Sequence, residues 1–324
     1  MKKKYPQAIT QAREALSMLR LASGERNALG VGIWYDLGRF YRGAGNLREA
    51  EAGFRQALDI SQNRFGVNHP LNAPSQQALA EILIGKNQFD EASRLLTSSK
   101  KHYSAQWGED NPKLAEISIL QAYVALQRDN AQDGIAFASE AQRLLGKSQQ
   151  TDHYVGATCL LAQAQAAQEL TNPHALLNAE QCVSLAVQQK SPQLQNFAIA
   201  MANLAMDRND IELADQRLKI ATASTKTTSA GLVLGWLRLQ ELQNSFVLDD
   251  SVFDRVQITL KQQTPVQLDL IRASSALRAN YYCRNQRSFD GETLKMKMLT
   301  EATQKNPERR LEIRQIKNLS KACN

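Results

Sequence analysis

Through the first 146 residues, apolar and polar positions alternate with helical spacing, and the alternation itself repeats. Trp34, Leu37, Gly38 and Tyr41 stand three, one and three apart, one face of a helix with a glycine set into it. Ala50 with Ala57, and Ala92 with Ser99, stand seven apart, two turns along one helix face. A shift of 42 residues superposes these features: Ala8, Ala50, Ala92 and Gly134 fall in register, as do Ala15, Ala57, Ser99 and Ala141. Tyr5, Leu47, Phe89 and Ala131 precede the first set, and Gly24, Gly66 and Gly108, like Pro70 and Pro112, keep the same spacing.

Small residues two turns apart let a second helix approach closely, so each period predicts helix A, a short turn and an antiparallel helix B. Asn46 and Asn130, with Glu49 and Asp133 three residues on, predict N-caps for helix B. Gly66 and Gly108 suit helix ends, and Pro70 and Pro112 the first turn of the next helix. A lone hairpin leaves its apolar stripe bare, whereas stacked copies bury it. Beyond residue 150 the period loosens. Ala179 with Ala186, and Ala214 with Ala221, keep the seven-residue pair at a separation of 35, and Asn209 with Glu212 reads as another cap. Pro192 leads into a helix A carrying Phe197, Met201, Leu204 and Ala205. Residues 222–230 form a polar connector, with helices expected near 231–247, 251–263, 266–285, 290–305 and 307–321.

Trp34, Leu37, Gly38, Tyr41, Gly45, Ala50, Phe54 and Ala57 occupy the signature positions of the tetratricopeptide repeat, and Leu79, Ala80, Phe89 and Ala92 match in the next unit. The 42-residue period, with Phe65 to Pro70 and Trp107 to Pro112 between units, resembles the kinesin-light-chain-like variety of the repeat. The match covers about residues 5–146. The resemblance implies an all-α fold, a right-handed superhelical solenoid of helix hairpins. The organisation expected is 42-residue repeats over 1–150, divergent repeats over 151–228, and degenerate repeats or a capping bundle over 229–324.

The same resemblance implies that helix A side chains line a concave groove. In the best unit these are Tyr35, Arg39 and Arg42; their counterparts are Gln77, Glu81 and Ile84, then Ile119, Tyr123 and Leu126. Near 195–221 the set is Ile199, Asn203 and Met206. The expected function is a non-catalytic scaffold or adaptor holding a peptide or partner helix in the groove. Two family devices find no match. The asparagine pair of kinesin light chains is replaced by Tyr35-Asp36, Gln77-Ala78 and Ile119-Leu120, and the carboxylate clamp of chaperone-binding repeats is missing.

Composition narrows the alternatives. The 324 residues include only 16 Gly and 8 Pro, too few for a turn-dense all-β chain. The longest apolar stretch, Gly231 to Leu237, is far short of a membrane span. The net charge of +7 is spread along the chain. The basic C-terminal helices leave a regulator acting on nucleic acid as a second hypothesis, without a recognition motif to carry it. The histidines His69, His102, His153 and His174 form no metal-ligand pair, and no nucleophile, phosphate-loop or paired-carboxylate motif appears. Neither enzymatic activity nor a metal or cofactor is expected. Cys159 with Cys182, and Cys283 with Cys323, permit two disulfides, which would fit a periplasmic assembly factor; the expected location is otherwise cytoplasmic.

The register makes Tyr5 the start of a helix B, with Ala8, Ala12 and Ala15 facing a helix A that would precede Met1. Three accounts are open: a partner's helix, a tolerated exposed face, or a gene start farther upstream that also brings a targeting signal. The third is preferred on the sequence.

Overall fold

The computed structural model describes residues 5–146, 151–224, 229–243 and parts of 253–305, namely 253–254, 256–258, 274–279, 281–282 and 288–305. Among the described residues the regular structure is helical, with no strand. Two compact units divide the chain, residues 1–124 and 125–324. The first holds α1 (Tyr5–Ala22), α2 (Ala28–Gly43), α3 (Leu47–Phe65), α4 (Asn72–Gly85), α5 (Phe89–Trp107) and most of α6 (Leu114–Gln127). The second holds α7 (Ala131–Leu145), α8 (Asp152–Gln168), α9 (Pro173–Gln188), α10 (Leu194–Asp207), α11 (Ile211–Ala223), α12 (Ala230–Leu242) and α13 (Ser288–Lys305). The helices expected near 251–263, 266–285 and 307–321 lie largely outside the described residues, as does the Cys283–Cys323 pairing.

In the first unit α2 packs on α3 and α4 on α5, the A and B partners of two hairpins. The small residues do what their spacing predicts. Ala50, Ala57, Ala92 and Ser99 are fully buried, and the Ser99 hydroxyl donates to the Ala73 carbonyl across the hairpin at 2.9 Å. At the α2–α3 crossing a Cβ on Gly38 would lie 2.6 Å from the Phe54 ring, and one on Gly53 would lie 2.9 Å from the Gly38 nitrogen. Two glycines therefore bring the backbones together, and the wholly buried Phe54 fills the seam beside them. In the second unit α8 packs on α9 and α10 on α11, over buried Ala179, Ala186, Ala214 and Ala221. A disulfide joins Cys159 of α8 to Cys182 of α9, with Cα atoms 5.2 Å apart and both side chains in the core.

The turns correct several expectations. Gly45, Asn87, Asp129 and Asn209 each lie two residues before a helix B and take positive φ, at 86°, 62°, 60° and 60°. Asn209 is thus the left-handed turn residue, and the cap is Asp210, whose carboxylate accepts from the Leu213 N–H at 3.1 Å. Asn130 caps α7 by accepting from the Asp133 N–H at 3.1 Å, but Asn46 makes no side-chain cap bond. Pro70 and Pro112 lie in the turns just before α4 and α6, outside the helices. Residues 222–223 and 230, read as connector, belong to α11 and α12, and His174 stands in the first turn of α9.

Helix α1 departs most from its expected role. Ala15 is exposed, and Ala8 and Ala12 only half-buried, although their counterparts in α3 and α5 are fully buried. The helix is nonetheless packed on the first unit, with Ile9 and Ala12 against its core. Leu16 and Leu19 are buried, the Tyr5 ring occupies the space a Gly43 side chain would need, and the Arg13 guanidinium lies 5.7 Å from the Tyr41 ring centre. These contacts fix α1 against α2, the next helix A.

Candidate functional site

Helices α2, α4 and α6 are the A helices of the first unit, and one face of each carries the predicted groove residues. Positions 35, 39 and 42 are four and three apart, so their side chains follow one line along α2. Tyr35 is half-buried, its ring 5.6 Å from the Phe54 ring, while Arg39 and Arg42 are exposed. The Arg39 guanidinium lies 5.9 Å from the Tyr35 ring centre and donates to Asp36 at 3.3 Å. Asp36 takes one N–H of Nη1, leaving the other guanidinium N–H groups to offer elsewhere. Arg42 reaches across to the next repeat and pairs with Glu81 of α4.

This face is electrostatically continuous. Burial pushes the Glu81 carboxyl above the usual carboxylate range against the pull of Arg42, with Glu116 of α6 pushing the same way as burial. Burial likewise raises the Tyr35 hydroxyl, opposed by Arg39 and Arg42. The Tyr103 hydroxyl of α5 is pushed up to about 12, first by burial and then by Tyr35 and Glu116. Residues of three repeats therefore feel one another within the first unit. Gln77, Ile119 and Tyr123 are half-buried beside them, and Tyr35, Ile84, Leu120 and Tyr123 all pack on the unit's core. The face is chemically mixed: aromatic surface, an exposed guanidinium, an amide and one cross-repeat ion pair.

The other predicted positions behave differently. Leu126 and Met206, expected to line the groove, are buried at 5% and 3% exposure. The end of helix A lies under helix B there: a Cβ on Gly134 of α7 would come 3.4 Å from Leu126, and Met206 packs with Ala214. Asn203 belongs to the second unit, where its side-chain Oδ1 accepts from Arg238 of α12 at 3.4 Å while Arg238 pairs with Asp207 at 2.5 Å.

Tyr103 and Trp107 were not anticipated. Their rings stack at 4.2 Å between centres, with the Lys113 ammonium 5.0 Å from the Trp107 ring centre. They stand on a helix B, whose residues the repeat pattern assigns to the hairpin core, so the pattern hides them. Only their aromatic character at the end of α5, where α3 has Ser61 and Phe65, could have marked them.

Residues 31–105 match the family model of the tetratricopeptide repeat. The protein carries tetratricopeptide repeats. Among solved structures, a Rap protein complexed with Competence and Sporulation Factor is similar, with a TM-score of 0.55 at 9% identity, over 98% of this chain and 86% of that one. BtubC (BKLC) from P. vanneervenii gives 0.51 at 15% identity, over 76% of this chain and 92% of that one. Kinesin-light-chain-like repeats of Podosopora anserina give 0.50 at 18% identity, over 59% and 92%. At these identities the likeness is one of fold. No curated protein matches the chain in sequence. Tetratricopeptide repeats serve typically as protein- or peptide-binding scaffolds and are usually non-catalytic. Among the described residues no group of His, Cys, Asp and Glu is placed to hold a metal, and no helix is long and apolar enough to cross a membrane.

Proposed function

We propose that the protein is an interaction scaffold whose first unit holds a peptide or partner helix along the A-helix face of α2, α4 and α6. The observation that carries this reading is the line from Tyr35 and Arg39 through Arg42–Glu81 to Tyr123. It combines half-buried aromatic surface with an exposed planar cation, the residue types that dominate binding energy at interfaces. The ligand supplies a carboxylate or backbone carbonyls for Arg39 and an apolar side chain to lie between Tyr35 and Tyr123.

The test is selection of peptides from a displayed random library on the intact protein, followed by affinity measurements with an Arg39→Glu, Tyr123→Ala double variant. The expected result is a loss of at least about tenfold, two truncated interface contacts of roughly 1 kcal/mol or more each. Peptides that bind the double variant as tightly as the parent refute the site.

One bond favours a second reading, of place. The Cys159–Cys182 disulfide supports residence in an oxidising compartment, such as the periplasm or the cell exterior. Thiol counting on protein isolated from its native host under acid quench tests this; free thiols at both positions would return the protein to the cytoplasm.

A further inference from the structure

Three turns of the first unit follow one another at the 42-residue spacing, and in each a side chain accepts from a backbone N–H. Asn27 accepts from Gly30 at 3.0 Å and Asn111 from Lys113 at 3.0 Å, both through an amide oxygen. Between them stands His69, whose Nδ1 accepts from the Leu71 N–H at 3.2 Å while its ring lies 5.0 Å from that of Phe65. A buried helix B position varies in the same way. Ile60 and Leu144 occupy it at 0% and 6% exposure, and between them stands His102 at 5%. Of these three copies only the one at the α3–α4 turn has a histidine in both places.

Both histidines act on that turn. The Val67 carbonyl accepts from Asn72 Nδ2 of α4 at 3.0 Å and from the His102 ring of α5. Nε2 of that ring faces the Ser98 hydroxyl at 3.5 Å, and this hydroxyl accepts from Gln76 Nε2 of α4 at 2.9 Å. The Ser98 hydrogen is thus available to Nε2, Nδ1–H is the group aimed at Val67, and the ring is complete with one proton. A second proton puts a charge on a nearly buried ring beside Lys101 of α5 and His69 of the turn, both of which oppose it; α4 approaches through the uncharged Gln76. His69 packs on Phe65 of α3 and lies near His102, and a proton on its Nδ1 removes the acceptor of the Leu71 N–H. We infer that the α3–α4 turn is a proton-released joint, which fixes the α4–α5 hairpin on the α2–α3 hairpin while both histidines are neutral and loosens when they take up protons. The Arg42–Glu81 pair spans this joint, as does the line from Tyr35 to Gln77. On the ligand face proposed above, a ligand lying across α2 and α4 is therefore released as the pH falls.

Amide hydrogen exchange on the whole chain, corrected for the intrinsic pH dependence of exchange, tests the joint without any ligand. Opening grows by at most about tenfold per pH unit for each histidine that takes up a proton. From about pH 7.5 to 5.5, residues 66–76 are expected to lose protection by about threefold or more relative to residues 108–118, the same turn one repeat on. His69→Asn with His102→Leu installs the residues of the next copy and is expected to abolish the difference, with folding checked by circular dichroism. His69→Asn alone, at the turn, is expected to keep only part of the response. Protection that does not change with pH, an equal change at 108–118, a response undiminished in His69→Asn, or one that survives in the folded double variant overturns the joint. Affinity is the second readout: a peptide selected on the parent is expected to bind about threefold or more weakly at pH 5.5 to the parent, and equally at both pH values to the double variant. A peptide that needs Arg39 and Tyr123 yet binds the parent equally at both pH values overturns the release. Failure to select any such peptide refutes the ligand face alone, and the exchange result still decides the joint.

Discussion

The α2–α3 crossing makes a prediction whose sign depends on a neighbour. Replacing Gly38 by Ala in a helix interior gains about 1 kcal/mol from intrinsic propensity. In this protein the new methyl would sit 2.6 Å from two atoms of the Phe54 ring. That ring is wholly buried and part of the first unit's core, so it has no vacant space to move into. Overpacking of this kind costs about 1–3 kcal/mol, so Gly38→Ala alone should destabilise the unit by about 0–2 kcal/mol. The next repeat carries the other solution, Ala80 with Leu96, both fully buried. Phe54→Leu alone should cost about 1–2 kcal/mol, the partial truncation of a buried ring. In the Phe54→Leu background, however, the clash is gone and the helical gain remains, so Gly38→Ala should now stabilise by about 1 kcal/mol.

The assay is a double-mutant cycle by urea unfolding, followed by far-UV circular dichroism and by Trp34 emission. Trp107→Phe and Trp236→Phe leave Trp34 as the only one of three tryptophans. Emission of Trp34 reports this hairpin alone, which matters because stacked repeats need not unfold in one step. The expected coupling is about 1–3 kcal/mol with inversion of sign. Equal effects of Gly38→Ala in both backgrounds would mean that the glycine is not there for the Phe54 ring, and the packing account of the repeat signature would fall.

Other expectations follow from single contacts. His102 is held below its usual value of 6.5, first by burial and then by Lys101, so the folded form binds fewer protons than the unfolded. Stability should rise with pH through the window just below 6.5, and thermal melts between pH 5 and 7.5 should lose that slope in His102→Gln. Asn130→Ala and Asp210→Ala should each cost about 1 kcal/mol, whereas Asn46→Ala should cost little because no cap bond is lost. Reducing Cys159–Cys182, which are 23 residues apart, should destabilise the second unit by about 3 kcal/mol, read as a lower urea midpoint with dithiothreitol present.

The hairpins were legible because the crossing geometry admits few side chains. Ala50, Ala57, Ala92 and Ser99 are fully buried, and any larger residue there would push two helices apart. Positions under such constraint repeat, so a shift of 42 residues finds them. Turn chemistry was legible only to within one residue. Asn209 and Asp210 are both good caps and good left-handed residues, and the structure decides between them by backbone conformation. Asn46 has the right side chain at the right place yet makes no cap bond, whereas Asn130, equally exposed, does. The A-helix face was legible as a line of positions. Its chemistry was not, because the pairing of Arg42 with Glu81 and the burial of Leu126 depend on what the neighbouring helix carries.

The same constraint says where this protein can be specific. Positions that must let helices cross are not free to vary, so they carry fold and little recognition. Tyr35, Gln77 and Ile119 occupy one repeat position, and Arg39, Glu81 and Tyr123 another; neither set keeps even its chemical class. Free variation belongs where a side chain is not wedged between crossing helices, which in the first unit is the A-helix face. There Arg42–Glu81 has a double effect. As a half-exposed ion pair it contributes at most about 1 kcal/mol to stability. It also engages the Glu81 carboxylate, so an incoming cation meets an acid already paired there. Of the two exposed arginines, Arg39 pairs only with Asp36 of its own helix, and on the proposed reading it would take an acceptor on a ligand that also carries an apolar group.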